Sequence, residues 1–139
     1  MQQQISLVTL GVEDVDRSHG FYADGFGWKP VFSAPGIVFF QMNGLVLGLW
    51  GKADLEDDMR REAGGAGAVA LAHNVTGREE VDHCIARLLE AGGTLLRPAD
   101  EPPHGGYRGY VADPDGHAWE IAWNPAWPID AEGRVRFAT

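Results

Sequence analysis

The chain has few of the residues that mark disulfide-stabilised or nucleic-acid-binding proteins. Its 139 residues include one cysteine, Cys84, so no internal disulfide can form and no C-x-x-C pair can hold zinc. Only 11 Lys and Arg stand against 20 Asp and Glu, and the net charge of -9 would repel a phosphate backbone. These scarcities indicate a reducing compartment and argue against nucleic acid as a partner.

Long apolar runs are also lacking. The N-terminal stretch MQQQISLVTLGVEDVD has no basic lead, and charged residues soon interrupt its apolar segment, so we interpret it as neither a signal peptide nor a membrane span. We therefore expect a soluble, cytoplasmic protein that does not bind membranes. Hydrophobic residues make up 45% of the chain, which is enough to bury the core of one domain over residues 1–139.

What the chain does contain is an internal repeat. The first half reads as a strand over residues 5–12, a helix capped by Asp14, and the short strands WKPVFS, GIVFFQM and LVLGLW. The second half reads as a strand over residues 68–75, a helix with its N-cap near Thr76, and the strands GTLLRP, YRGYVA and HAWEIAW. Each half is thus predicted to be a β-α-β-β-β module.

The repeat also sets the expected boundaries along the chain. Module 1 covers about residues 4–51 and module 2 about residues 68–124, with a connector over 52–67 that includes a short polar helix. Residues 125–139 form a C-terminal arm that is irregular and contains two prolines. We expect its Trp127 to anchor the arm on the body of the protein or on a partner chain.

The repeat and two motifs carry a resemblance to a known family. The stretch VTLGVEDVDRSHGFY at the front and DPDGHAWEIAWNP at the back resemble the vicinal oxygen chelate superfamily, which includes glyoxalase I, extradiol dioxygenases and bleomycin-resistance proteins. The resemblance implies an α+β fold in which two tandem βαβββ modules form a cupped, barrel-like mixed sheet with the helices outside. It also implies a metal or ligand between the modules and, for many members, a homodimer.

Metal-dependent members of the family use four protein ligands, two from each module. The resemblance and the repeat place these positions at Leu7, Gly48, Ala70 and Glu120. Only Glu120 has a side chain that can donate a lone pair, whereas even a catalytic zinc ion usually keeps three protein ligands. We therefore expect no metal ion and no other cofactor, and metal-dependent chemistry would require ligands that this register misses.

The alternation of side chains along a strand predicts which residues line the cup. The inward set is mostly small or apolar, with a few polar groups, as small-molecule sites tend to be. His73 falls on the opposite face, where we expect it to pack beneath a helix. The predicted ligand-binding residues are Leu7, Thr9, Trp50, Ala70, Asn74, Tyr107, Arg108, Tyr110 and Glu120.

Two functions of different class remain open. The first is a metal-free protein that binds a small organic molecule, with Glu120 accepting a hydrogen bond or meeting a cation. The second is an enzyme, either metal-dependent or using Glu120 as a general base with Tyr107, Tyr110 or Arg108 near an oxyanion. A structural role for Glu120, paired with Arg108 or with backbone N–H groups, also remains open.

Overall fold

The computed structural model describes residues 1–137 of the chain as an α+β fold. Two four-stranded sheets carry three α-helices, and the elements follow one another as two βαβββ modules. This confirms the fold class and the repeat expected from the sequence. The elements are β1 (Leu7–Val12), α1 (Val15–Phe21), a π-helical turn (Tyr22–Phe26), β2 (Phe32–Ala34), β3 (Ile37–Gln41), β4 (Val46–Gly51), α2 (Lys52–Met59), β5 (Ala70–Asn74), α3 (Arg78–Glu90), β6 (Thr94–Asp100), β7 (Tyr107–Ala112) and β8 (Ala118–Trp123).

The two sheets have the same topology. Their strand orders are β1-β4-β3-β2 and β5-β8-β7-β6, and in each the first strand pairs in parallel with the last. Leu7 pairs with Val46 in module 1, and Ala70 pairs with Ala118 in module 2. Gly48 lies two residues after Val46, and Glu120 lies two residues after Ala118. The strand register therefore shows that the two positions are equivalent.

Several element boundaries differ from those expected. β1 and β5 each begin two residues later, and WKPVFS contributes only Phe32–Ala34. Gly77, not Thr76, is the N-cap of α3; Thr76 instead donates its hydroxyl to Glu80 at 2.8 Å. The pairing of β6 with β7 shifts register twice, which no local pattern in GTLLRP indicates.

The helix of module 1 is positioned by its two ends. Asp14 caps α1 as expected, because its carboxylate accepts a hydrogen bond from the Arg17 N–H at 3.1 Å. The π-helical turn then ends at Gly27, which adopts a left-handed conformation with φ 76°. The chain is thereby turned so that Trp28 reaches the core rather than beginning a strand.

The core lies between the sheets and the helices. Leu10, Leu49, Trp119 and Ile121 are buried on the helix-facing sides of their strands, as the alternation predicts. α3 buries Val81, Ile85 and Leu88, whereas Leu89 is 36% exposed.

A buried polar cluster joins the two modules. The Tyr22 hydroxyl donates to Asp113 at 2.7 Å and accepts from the Trp119 indole N–H at 2.9 Å. Burial, and next the charge of Asp113, raise the pKa of Tyr22 well above its usual value. The D-P-D-G turn therefore does more than reverse the chain: Asp113 fixes module 2 to the first helix.

No helix among residues 1–137 has both the length and the apolar character that a membrane span requires.

Candidate functional site

The candidate site lies on the open face of module 2, the face of its sheet that points away from the helices. Side chains on this face form rows that cross the strands at matching registers. One row joins Ala72, Glu120, Tyr110 and Arg97, and the next joins Asn74, Ala122, Arg108 and Asp100. Glu120 is therefore flanked on the neighbouring strand by Tyr110, with an arginine beyond it.

Glu120 has a defined hydrogen-bond partner. The Tyr110 hydroxyl donates to its Oε2 at 3.1 Å in a part-buried position. Burial, together with the nearby Glu120 carboxylate, raises the pKa of Tyr110, so this phenol is held as a proton donor. Arg108 instead forms an ion pair with Asp100, so of the alternatives left open for Glu120 the pairing with Arg108 is not the one that the structure has.

A cavity of about 220 Å³ opens beside Glu120. The loop between β6 and β7 contributes Pro102, His104 and Gly105, and the segment after β8 contributes Asn124 and Trp127. The strands supply the remaining lining residues, which are Ala72, Asn74, Tyr107, Arg108, Glu120, Ala122 and Trp123. All of these residues belong to module 2 or to the arm that follows it.

The structure brings together some of the predicted site residues but not all. Asn74, Tyr107, Arg108 and Glu120 line the same cavity, and Tyr110 is hydrogen-bonded to Glu120. The Tyr107 hydroxyl nevertheless turns toward the helix side, where it donates to Asp82 of α3 at 2.8 Å.

The remaining predicted site residues lie in other rows. Ala70 lies one row away from Glu120, next to Ala118. Leu7, Thr9 and Trp50 lie on the other sheet.

The open face of module 1 is apolar where that of module 2 is polar. At the position equivalent to Glu120 stands Gly48, and a Cβ there would lie 3.1 Å from the Phe39 ring and 3.4 Å from Leu7. Phe39 is thus packed over Gly48, and its ring lies 5.8 Å from that of Phe32. β3 turns the Phe39 ring to the open face, away from the buried core.

The residues at the four family positions do not fit a divalent metal ion. Leu7 and Phe39 occupy the module 1 half with hydrocarbon, and Ala70 adds no donor to Glu120 in the module 2 half. If a second copy of the chain supplied Leu7 and Gly48, the four residues would be the same, because the two copies have identical sequences. Nowhere in residues 1–137 do three His, Cys, Asp or Glu side chains come close enough to hold a metal ion.

Some features of the cavity could not be read from the sequence. Trp127 was expected only to anchor the arm, yet it lines the cavity and also packs against Phe137 at 5.2 Å. Asp100, the partner of Arg108, is hidden from pattern analysis by the register shifts of β6. The one useful signal in the sequence is the acidic segment before β7, since a carboxylate that precedes the strand of Arg108 can form an ion pair with it. The last two residues of the predicted arm, 138 and 139, lie outside the described residues.

Comparison with known proteins gives a consistent picture. Residues 4–121 match the family model described as "Glyoxalase/Bleomycin resistance protein/Dioxygenase superfamily". A glyoxalase-related enzyme from Fulvimarina pelagi is 55% identical, with a TM-score of 0.96 over 99% of this chain and all of that one.

More distant relatives carry enzyme names. The metallothiol transferase FosB of Lysinibacillus sphaericus is 26% identical over 119 residues, which are 86% of this chain and 81% of that protein. The lactoylglutathione lyase structure from Agrobacterium tumefaciens, 24% identical with a TM-score of 0.72 over 94% of this chain and 100% of that one, shares the fold.

Proposed function

Because the chain belongs to the glyoxalase/bleomycin resistance protein/dioxygenase superfamily, we propose that it binds a small organic molecule against Glu120 without a metal ion. The observation that carries this proposal is the hydrogen bond from the Tyr110 hydroxyl to Glu120 beside an open cavity. A carboxylate held in this way is oriented by the protein, and residues 1–137 contain no group of three His, Cys, Asp or Glu side chains that could hold a metal ion. Such an arrangement is suited to recognise a ligand directly.

The free oxygen of Glu120 sets the chemistry of the ligand. Tyr110 engages Oε2, and no hydrogen bond within residues 1–137 engages Oε1. Oε1 is therefore available to accept from an N–H or O–H group of a ligand, or to meet a cationic group. Arg108, by contrast, is already paired with Asp100. The arrangement favours a ligand that brings a donor to Glu120 over one that brings an anion to Arg108.

The apolar part of the site would come from a second copy of the chain. The cavity beside Glu120 has no module 1 residue, while the open face of module 1 carries Leu7, 45% exposed, and Phe32, 50% exposed. In a two-fold symmetric dimer, the apolar face of module 1 would pack against the polar face of the partner's module 2, and the symmetry would form two such pairs of faces. The completed cup would then take a ligand with one aromatic or aliphatic side and one hydrogen-bonding side.

A metal-free enzyme is the second candidate, and the same hydrogen bond supports it. A carboxylate oriented by a phenol can remove a proton from a bound substrate and return the same proton to a neighbouring atom, while Tyr110 stays protonated and keeps its hydrogen bond to Glu120. The enzyme names of the relatives are compatible with this reading, but the four family positions of this chain provide only Glu120 as a metal ligand. We therefore place binding first, with proton transfer as the chemistry open to the same residues.

Ligand binding tests the proposal. Fragments that combine an aromatic ring with an amine or amide are screened by thermal shift, and the affinity of each hit is measured by calorimetry. Glu120→Gln removes the charge while keeping the shape, and we expect it to weaken binding about tenfold or more, since a hydrogen bond to a charged group contributes about 1.5–3 kcal/mol. Glu90→Gln, the same change on the exposed end of α3, serves as the matched control and should bind as the wild type does.

Two outcomes would overturn the proposal. One is a screen in which no fragment raises the unfolding temperature of the wild-type protein. The other is an affinity that Glu120→Gln and Glu90→Gln leave equally unchanged. Turnover of a hit that stops in Glu120→Gln, with the fold intact, would instead favour the enzyme.

A further inference from the structure

A second cavity system lies away from Glu120, along the junction of the two modules. We call it the junction cleft and define it by Trp28, Met42, Asn43, Ala72 and His73, which line two adjoining cavities of about 490 and 270 Å³. These volumes are comparable to those of small-molecule sites. β5 lies between the cleft and the Glu120 cavity. His73 borders the cleft, Ala72 and Asn74 border both spaces, and Glu120 borders only its own cavity.

The walls of the cleft are aromatic. Trp28 is half-buried, borders both cavities and presents the accessible ring, whereas Phe40 at the larger cavity and Trp119 at the smaller are only 1% and 5% exposed. Phe26 stacks on Trp28 with ring centroids 4.1 Å apart, which supports the indole from one side. Flat aromatic surfaces that are already stacked within the protein lose little side-chain entropy when a flat ligand packs on them.

His73 is the polar group at the centre of the cleft. Its ring packs edge-on against Phe26 at 5.4 Å and Trp28 at 6.0 Å, and within residues 1–137 no hydrogen bond engages its nitrogens. Burial lowers the pKa of His73, so the imidazole is neutral near pH 7. The titratable and charged groups that face it from α3, across a further cavity beside the ring, include Glu80, His83 and Arg87. A neutral imidazole offers one N–H donor and one nitrogen acceptor.

With the exception of Lys29, the other polar groups of the cleft are also neutral. Asn43, Asn74 and Gln41 supply carboxamides, and Lys29 is the one charged residue among those lining the two cavities. No carboxylate lines either of them, so the cleft differs in kind from the Glu120 cavity. A cationic ligand would find no counter-ion here, whereas a neutral ligand with both a donor and an acceptor would match the carboxamides and the imidazole.

The C-terminal arm closes one side of the cleft. Gly133 and Val135 belong to its lining, and the Asn43 side chain donates to the Glu132 carbonyl at 3.2 Å. A turn around Asp130, whose carboxylate accepts from the N–H groups of Glu132 and Arg134 at 2.9 Å each, holds this part of the arm. The arm therefore forms one wall of the cleft, although the sequence alone predicts an irregular segment.

We propose that the junction cleft is a second binding site, which takes a neutral, planar heteroaromatic molecule whose polar edge is held by His73. The aromatic walls recognise the flat rings, and the imidazole and carboxamides recognise an edge that carries both a donor and an acceptor. The site is independent of Glu120 and of any second copy of the chain, since both modules that border the cleft belong to one protomer.

The test uses 2-quinolinone, a neutral bicyclic molecule with adjacent N–H and C=O groups. It is titrated into isotopically labelled full-length protein and followed by NMR at the Trp28 indole N–H and the Met42 methyl group. The Trp127 indole N–H reports on the Glu120 cavity. We expect the shifts to concentrate at Trp28 and Met42, and 1-methyl-2-quinolinone, which lacks the donor, to bind more weakly.

Variants at His73 separate recognition from mere filling of space. His73→Leu should raise Kd about fivefold, the effect of losing one hydrogen bond, while His73→Gln keeps a donor and an acceptor and should lose less. Glu90→Gln, on the exposed end of α3, is the matched control and should leave Kd unchanged. Thermal unfolding confirms that each variant is folded.

Three results would overturn the proposal. The first is the absence of shifts at millimolar 2-quinolinone. The second is a set of shifts at Trp127 that Glu120→Gln abolishes, which would assign the probe to the Glu120 cavity. The third is an equal Kd in the wild-type protein and in folded His73→Leu.

Discussion

Single residues decide the chemistry of each half of the molecule. Gly48 and Glu120 occupy equivalent positions of the repeat, yet one lies beneath an aromatic ring and the other presents a carboxylate to a cavity. The difference between the apolar and the polar face therefore includes this pair and its cross-strand neighbours, since Phe39 lies beside Gly48 and Tyr110 beside Glu120. His73 is a comparable case, since strand alternation alone turns it from the open face to the junction cleft.

The burial of His73 predicts a specific dependence of stability on pH. Its pKa in the folded protein lies below the ordinary value of 6.5 because burial disfavours the charged form. As pH falls below 6.5, the unfolded chain takes up a proton at this residue that the folded protein does not accept. The free energy of unfolding therefore decreases, by at most about 1.4 kcal/mol per pH unit, until the pH reaches the lowered pKa.

His73→Leu isolates this contribution. The difference in unfolding free energy between His73→Leu and the wild type, measured by urea denaturation, should grow in favour of the variant between pH 7.5 and pH 5.5. Subtracting the wild type removes the effects of the other four histidines. A difference that stays constant over this range would mean that the folded protein accepts the proton at His73 as readily as the unfolded chain does.

At the scale of elements, close approaches between strands and helices hold the site in place. β7 carries Arg108 and Tyr110 on the open face, and between them Gly109 faces the helix side. A Cβ at Gly109 would lie 2.7 Å from Ile85 of α3 and 2.9 Å from the Arg97 carbonyl oxygen of β6. The missing side chain lets α3 and the irregular strand β6 both approach β7.

Gly109→Ala should therefore destabilise the protein by about 1–3 kcal/mol, the usual effect of overpacking a core. Backbone atoms of β6 cannot yield as a flexible side chain would, so the strain should also displace Tyr110 from Glu120. Chemical denaturation measures the stability, and Gly65→Ala, where nothing lies within 4 Å of the added carbon, is the matched control. Equal stability of the two variants would contradict the close packing at Gly109.

At the scale of the whole molecule, the two open faces are complementary in character but belong to different modules. The apolar face of module 1 includes Leu7 and Phe32, and α2 covers only its far end, where Leu55 approaches Gly11. The polar face of module 2 carries Glu120 and its cavity. Pairing of two chains about a two-fold axis would cover both faces at once.

Phe32→Asp tests this pairing. We expect the wild-type protein to have the mass of a dimer in light scattering coupled to size exclusion, and the variant to shift toward a monomer, because a charge would be buried in the interface. Leu89→Asp, which places the same charge on the exposed side of α3, should remain dimeric. A wild-type monomer at all concentrations, or equal dissociation of both variants, would contradict the pairing.

The donor set of the whole molecule also predicts its metal content. Elemental mass spectrometry of untagged protein, before and after incubation with Zn, Ni, Mn and Fe(II), should show well under one metal ion per chain, because Glu120 lacks partner ligands. Glu120→Ala is the control. If the wild-type protein bound one metal ion per chain and Glu120→Ala bound none, this prediction would be contradicted. The chain would then resemble the metal-dependent enzymes of its family.

The sequence by itself determined the repeat, the α+β fold and the faces of most strands, because hydrophobic alternation and turn residues act over a few neighbouring positions. The residue types at Leu7, Gly48, Ala70 and Glu120 could also be read from the sequence, and they predict that Glu120 has no ligating partner at the other three positions. Tertiary structure alone decided that Tyr110 rather than Arg108 meets Glu120, that Phe39 covers Gly48, and that His73, Trp28 and the arm enclose a cleft. These outcomes depend on bulges in β6, on the exit of the chain after the π-helical turn and on contacts between residues far apart in sequence, which no local pattern specifies.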